Sequence, residues 1–178
     1  PWFAYIADRG LFFYTEVLYY RVMQYWLFKT EPSTYSIDDL EREKTTEWYG
    51  IRNYQVRNFL RDAIKIGDTV LIYHSNAEEI GVVGIAKVAS EAYPDTEQFK
   101  EGSKYYDSKS KIENPSWLSR DVSFVSKFKE IVLLSELKKE KALKNMLILR
   151  PGNRLSITPL KEKECKHILT LAQKKNAC

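Results

Sequence analysis

Residues 53–93 read NYQVRNFLRDAIKIGDTVLIYHSNAEEIGVVGIAKVASEAY. Two periods lie side by side in this stretch. Over residues 53–64 the apolar Val56, Phe59, Leu60 and Ala63 recur at helical spacing, with Arg57 and Arg61 elsewhere on the turn, which predicts a helix. Ile66, Gly67 and Asp68 then turn the chain. Residues 69–74 and 81–93 follow as strands. Gly84 inside the second strand predicts a bulge or a close backbone approach. Short strands joined by antiparallel-length loops, with helices at a few joints, predict an α+β domain around a small β-barrel.

Outward from this stretch the pattern continues. Residues 24–29 read as a strand, broken by Glu31, Pro32 and Ser33. Ser36 with Asp39 three positions on is a capping box that opens a helix to about Glu43. Residues 99–115 are polar and loop-like, carrying Lys100, Lys104, Lys109 and Lys111. Residues 121–128 fit a bulged strand, residues 135–144 a helix, and residues 146–149 and 155–158 strands. Residues 161–174 form an amphipathic helix with Cys165, Ile168, Leu169 and Ala172 inward. Residues 1–22 show neither period, and Asp8, Arg9 and Gly10 interrupt what a secretory leader would keep apolar. They read as an upstream extension, leaving residues 23–178 as a single domain.

The chain has 178 residues, 44% of them hydrophobic and 29% charged, a balance that suits one folded domain with its own core. No apolar run approaches the ~20 residues of a membrane helix. Lys plus Arg is 28 against 24 for Asp plus Glu, a net charge of +4, which permits a polyanionic partner without requiring one. Cys165 and Cys178 are too few for a disulfide scaffold or a cysteine zinc site and read as free thiols in a reducing cytoplasm. His74 and His167 are too few for a multi-histidine metal site, and carboxylate metal sites stay open on counting alone; no metal and no cofactor is expected. Phosphate-binding, dinucleotide and nucleophile-elbow motifs are all missing, which removes support from those chemistries. The conspicuous excess is aromatic: 12 Tyr, 8 Phe and 4 Trp. Aromatic residues fill cores and also build stacking pockets.

Four segments carry candidate chemistry. Trp48, Tyr49, Gly50, Ile51, Arg52 and Asn53 join two helices, where an exposed indole could stack on a base, Asn53 could read a base edge and Arg52 could meet a phosphate. The same letters also fit a core tryptophan and a helix-capping asparagine. Tyr73, His74, Ser75 and Asn76 end a strand with four polar groups. They can line a site or simply form a turn. Lys29 and Ser33 follow the first strand and could touch phosphate or a base edge. Arg150 and Arg154 flank a Pro-Gly-Asn turn and could grip phosphate. The Lys-rich residues 100–111 with Tyr105 and Tyr106 make a weaker basic and aromatic patch.

Taken together, these segments resemble the EVE domain family of the PUA-like superfamily. The matching stretches are residues 26–32 (WLFKTEP), Tyr35 with Ser36, residues 48–53 (WYGIRN), Gln55 with Arg57 and Asn58, and Gly67 with Asp68. They continue with residues 73–76 (YHSN), 84–86 (GIA), 93–95 (YPD), 105–107 (YYD) and 152–156 (GNRLS). The resemblance implies a PUA-like small β-barrel with surrounding helices and a pocket for a modified base of DNA or RNA. It implies base-pocket positions Trp48, Asn53, Lys29, Ser33, Tyr73, Ser75 and Arg150, phosphate contacts from Lys29, Arg52, Arg150 and Arg154, and no catalytic residue. Arg120 stands where the family pattern has an apolar residue, Pro151 where it has a polar one and Cys165 where an aromatic is common. Two function classes follow. One is a non-catalytic reader of a modified base. The other is an enzyme acting on RNA, ribonuclease-like, with His74 or Lys29 as acid or base. A monomer is expected, cytoplasmic in a bacterium and nuclear or organellar in a eukaryote.

Overall fold

A computed structural model describes residues 23–176 of the chain. The expected upstream extension over residues 1–22 and the Cys178 thiol lie outside the described residues. The elements run β1 (Tyr25–Thr30), α1 (Ile37–Glu43), β2 (Thr45–Trp48) and α2 (Tyr54–Asn58), which continues as a π-helical turn over Phe59–Ala63. Then come β3 (Thr69–His74), β4 (Gly81–Val88), β5 (Tyr93–Pro94), β6 (Leu118–Leu133), α3 (Leu134–Lys139), β7 (Ile157–Leu160) and α4 (Glu162–Asn176). The strands form one mixed sheet in the order β2-β6-β4-β3-β1-β7, with β5 on β6. The fold is α+β, as the mixed periods predict. No helix among the described residues is long and apolar enough to cross a membrane.

The sheet curls without closing. Trp48 on the edge strand β2 packs at 5.3 Å against Phe28 of β1, although three strands lie between them along the sheet. The two end strands, β2 and β7, are four residues each and do not pair with one another. The expected barrel is therefore a strongly curled, open sheet.

The apolar content of β1 follows from burial on both faces. Trp26 and Phe28 point into a core inside the curl with Ile72, Ala86 and Val122. Leu27 points into a second core with Leu71 and Val132, covered by Leu137 of α3 and Cys165, Ile168 and Ala172 of α4. Gly84 fulfils its sequence reading. The β4–β6 register shifts beside it, and a Cβ at this position would lie 2.6 Å from the Ser126 carbonyl oxygen.

Several elements differ from the sequence reading. The strand expected over residues 81–93 is interrupted after Val88, and residues 146–149 hold a 3-10 turn over Leu147–Leu149 rather than a strand. The helix expected to Lys144 ends at Lys139, and the last strand sits two residues later than expected. β6 is twice the expected length because it pairs in turn with β5, β2 and β4. Its second half, rich in Lys and Glu, carries no clean alternation from which a strand could be read. Arg120 is core-bound on β6. It is 1% exposed and donates to the carbonyls of Leu60 at 2.7 Å and Ser90 at 2.8 Å.

Candidate functional site

The geometry of the site begins with two parallel strands. β1 and β3 run side by side in register from Tyr25 with Thr69 to Thr30 with His74. Their C-terminal ends therefore emerge together, and the Ser75 N–H donates to the Thr30 carbonyl at 2.8 Å. The approach to β7 joins them, since the Lys29 N–H donates to the Ser156 carbonyl at 2.8 Å. Opposite stands the end of β2 with the loop that follows it. Between the two sides opens a cavity of about 620 Å³, lined among others by Lys29, Tyr35, Trp48, Asn53, Ser75 and Arg154. A cavity of this size suits a small ligand or one nucleotide.

The loop after β2 is held by one buried carboxylate. Asp95 is fully buried. It accepts from the Gly50 N–H at 3.0 Å, from Arg52 Nη1 at 2.7 Å and from the Glu97 N–H at 2.9 Å. Arg52 also donates from Nε to the Tyr105 carbonyl at 2.8 Å. Gly50 adopts φ +78°, and the Tyr105 ring lies where its Cβ would stand, 2.6 Å away. Glycine is required there on both counts. The loop that carries Tyr105 is ordered in turn by Gln98, whose amide donates to the carbonyls of Asp95 and Trp117 and accepts from the Trp117 N–H.

The structure brings Lys29, Trp48, Arg52, Asn53, Ser75 and Arg154 onto this cavity and puts three other expected residues elsewhere. Tyr73 is buried in the second core, and burial pushes its hydroxyl up to about 12. Strand alternation sends it to the face away from the cavity. Ser33 and Arg150 are exposed and outside the cavity lining. Trp48 is not an exposed loop residue between two helices. It ends β2, is 8% exposed, and packs on Phe28 and edge-on against Tyr35 at 6.5 Å.

Asn53 caps α2, its Oδ1 accepting from the N–H groups of Gln55 and Val56, so only its amide nitrogen remains to donate toward a ligand. Arg52 is turned inward on Asp95 and Tyr105 rather than outward to solvent phosphate. His74 lies on a different cavity, behind α1, where its Nε2 accepts from the Ile37 N–H at 3.1 Å. It therefore makes no acid–base pair with Lys29. Arg120 is not among the cavity-lining residues.

Four further residues line the cavity: Tyr35 and Glu47, which the sequence reading gave no role, and Tyr49 and Lys104, which it placed in candidate segments but not among the pocket positions. Tyr35 lines one side, its hydroxyl donating to Glu43 at 2.9 Å and pushed up to about 12 mainly by burial. Tyr49 meets Tyr105 edge-on at 5.8 Å. Glu47 also lines the cavity, and its Oε1 is buried with no hydrogen-bond partner among the described residues. A buried carboxylate oxygen left unpaired is costly, and a ligand donor at that point would relieve it.

Residues 24–171 match the EVE domain family. The chain is 44% identical over 170 residues to thymocyte nuclear protein 1 of Gallus gallus, covering 85% of this chain and 69% of that one. It is 43% identical over 169 residues to thymocyte nuclear protein 1 of Homo sapiens, covering 84% and 74%. Among solved structures, a hypothetical protein from Leishmania major superposes with a TM-score of 0.83 at 40% identity, over 87% of this chain and 98% of that one. The human THYN1 protein in complex with 5-methylcytosine containing DNA superposes with a TM-score of 0.79 at 41% identity, over 84% and 98%.

Proposed function

Since this chain belongs to the EVE domain family, we propose that it binds DNA carrying a modified base, holding that base in the cavity between β1, β3 and β2 without chemical turnover. The observation that carries this reading is the 620 Å³ cavity with an aromatic wall and a mixed donor and acceptor lining. The likeness to a human protein bound to 5-methylcytosine containing DNA supports the ligand class.

The lining suits a cytosine ring. Glu47 Oε1 is an acceptor in need of a donor, and cytosine presents an exocyclic amine. Asn53 keeps a donor free, and the same base presents carbonyl and ring-nitrogen acceptors. Tyr35 and the accessible edge of Trp48 supply apolar surface for the ring and for a methyl group. A base inside a duplex reaches none of these groups, so the ligand is a base extruded from its stack or one in a single strand. Lys29, Lys104 and Arg154 at the cavity supply charge for the adjoining phosphates. The name of the curated relatives agrees with a nuclear location, where DNA is at hand.

The test is a binding titration against short DNA oligonucleotides that differ only in one base, 5-methylcytosine or cytosine, with unmodified thymine as a control. Preference for 5-methylcytosine with no change in the recovered DNA is the expected result. Equal affinity for all three, or cleavage of the strand, overturns the reading.

A further inference from the structure

An unbroken series of cation and ring contacts leaves the cavity. Lys104 Nζ sits 4.8 Å from the Tyr105 ring centroid. The Arg52 guanidinium is 5.3 Å from the same Tyr105 ring and 5.4 Å from the Trp117 ring. Trp117 lies 4.9 Å from Tyr54 with an interplanar angle of 30°. Arg57 ends the series, 5.0 Å from the Tyr54 centroid. Lys104, Tyr105 and Arg52 line the cavity, whereas Tyr54 and Arg57 do not.

The inner members are structural. Trp117 is buried and donates from its indole to Asp107 at 2.7 Å, and Arg52 is paired with Asp95. At the outer end Arg57 donates to Asn58 Oδ1 at 2.9 Å and to the Ser116 carbonyl at 3.3 Å, which hold it in place over the Tyr54 ring. Tyr54 is 63% exposed, the first residue of α2, immediately after the cavity-lining Asn53. Among the described residues neither Arg57 nor Lys104 has a carboxylate within ion-pair distance, although both stand on aromatic faces. An exposed tyrosine kept at a fixed tilt by a buried tryptophan, under a cation held by neutral partners and answered by no carboxylate, is a surface that has paid its ordering entropy in advance.

We infer that Tyr54 and Arg57 form a second stacking station, which takes the base next to the one held in the cavity, with Lys104 and Arg57 on the connecting phosphates. This rests on the base-capture reading above and adds to it that the ligand is a strand, not a lone nucleoside. The chemistry favours nucleic acid. Rings interleaved with cations match a polymer of flat bases and anionic links, and stacking accepts any base at the second position. Specificity then resides in the cavity, and the station contributes affinity that is blind to sequence.

The test compares two probes on the full chain. One is a seven-nucleotide single-stranded DNA with 5-methylcytosine at its centre, and the other is free 5-methyl-2′-deoxycytidine. Wild type is expected to bind the oligonucleotide more tightly than the nucleoside. Tyr54→Ala should weaken the oligonucleotide by roughly 5- to 100-fold, the worth of one lost stack, and leave the nucleoside unchanged. Tyr54→Phe should retain both, since the ring remains. Arg57→Gln should lower the salt dependence of oligonucleotide binding only. An oligonucleotide bound no better than the nucleoside, or a Tyr54→Ala variant that weakens both alike or neither, overturns the inference and leaves base capture standing. A wild type that binds neither probe defeats base capture and the second station with it.

Discussion

The Arg52 guanidinium lies 2.7 Å from the Asp95 carboxylate, 43 positions away in the chain, with 22% of the arginine side chain exposed and none of the aspartate. This pair fixes the loop after β2 to the turn after β5. It places Gly50 and Tyr105 in contact and so builds one side of the cavity from two segments that are distant in sequence.

Asp95→Asn removes the charge that Arg52 answers and leaves a buried amide that can accept only in part. We expect a loss of about 2–3 kcal/mol, the worth of charge-assisted hydrogen bonds to a buried acceptor. Chemical denaturation checks it. A loss below ~0.5 kcal/mol would mean that the carbonyls of Tyr105 and Ile51 suffice to hold Arg52.

Trp48→Ala is expected to cost about 3–5 kcal/mol of stability, because the indole is core before it is pocket. Trp48→Phe should fold and keep ligand binding within a few-fold, since the Phe28 contact can be retained. Thermal melts and nucleoside titrations of both variants separate the two duties. A fully stable Trp48→Ala variant refutes the core assignment.

Arg154 lines the cavity and Arg150 does not, although both flank the same turn. Arg154→Ala should therefore weaken binding to all DNA sequences and reduce the slope of log K against log salt by about 1. Arg150→Ala should change neither. Identical behaviour of the two variants would show that charge at this turn acts at long range rather than at the cavity.

His74 is held neutral in the fold. Burial pushes its pKa below the usual 6.5, and its Nε2 must accept from the Ile37 N–H. The unfolded chain takes up a proton near pH 6.5 that the folded one resists, so stability falls as pH drops from about 6.5 toward the lowered folded value. His74→Gln keeps an acceptor and removes the titration. Melting temperatures between pH 7.5 and 5 should fall for wild type and stay flatter for the variant. Parallel curves would exclude His74 as the titrating group.

Local rules made much of this fold legible. The Ser36–Asp39 capping box is present with both of its hydrogen bonds. The β1 and β3 strands, the glycine in β4 and the apolar stripe of α4 all stand within a residue or two of their expected places. Closure was not legible, because it depends on whether two four-residue edges meet, and no local period encodes that. The site was legible where motif residues happen to face inward. Trp48 and Asn53 each answer to both of their sequence readings, as core and cavity wall and as helix cap and cavity lining. Tyr73 failed because it lies within the strand and packs into the second core, whereas Ser75 comes after the strand's last residue, is freed from its alternation and lines the cavity. Glu47 was hidden because nothing about a lone charged residue reveals what lies opposite it in space, and Lys104 was legible only as one of four lysines in the weaker patch over residues 100–111.

Trp48 shows how such a site can change over time. Its wall belongs to the hydrophobic interior, so any substitution there is taxed in foldedness before it can be tried for a new ligand. The opposite side is cheaper ground. Tyr49, Lys104 and Arg154 reach the same space from exposed positions, where replacements cost little stability. Diversification of what the cavity accepts should therefore run through its rim, while the indole stays as an inherited fixture of the scaffold.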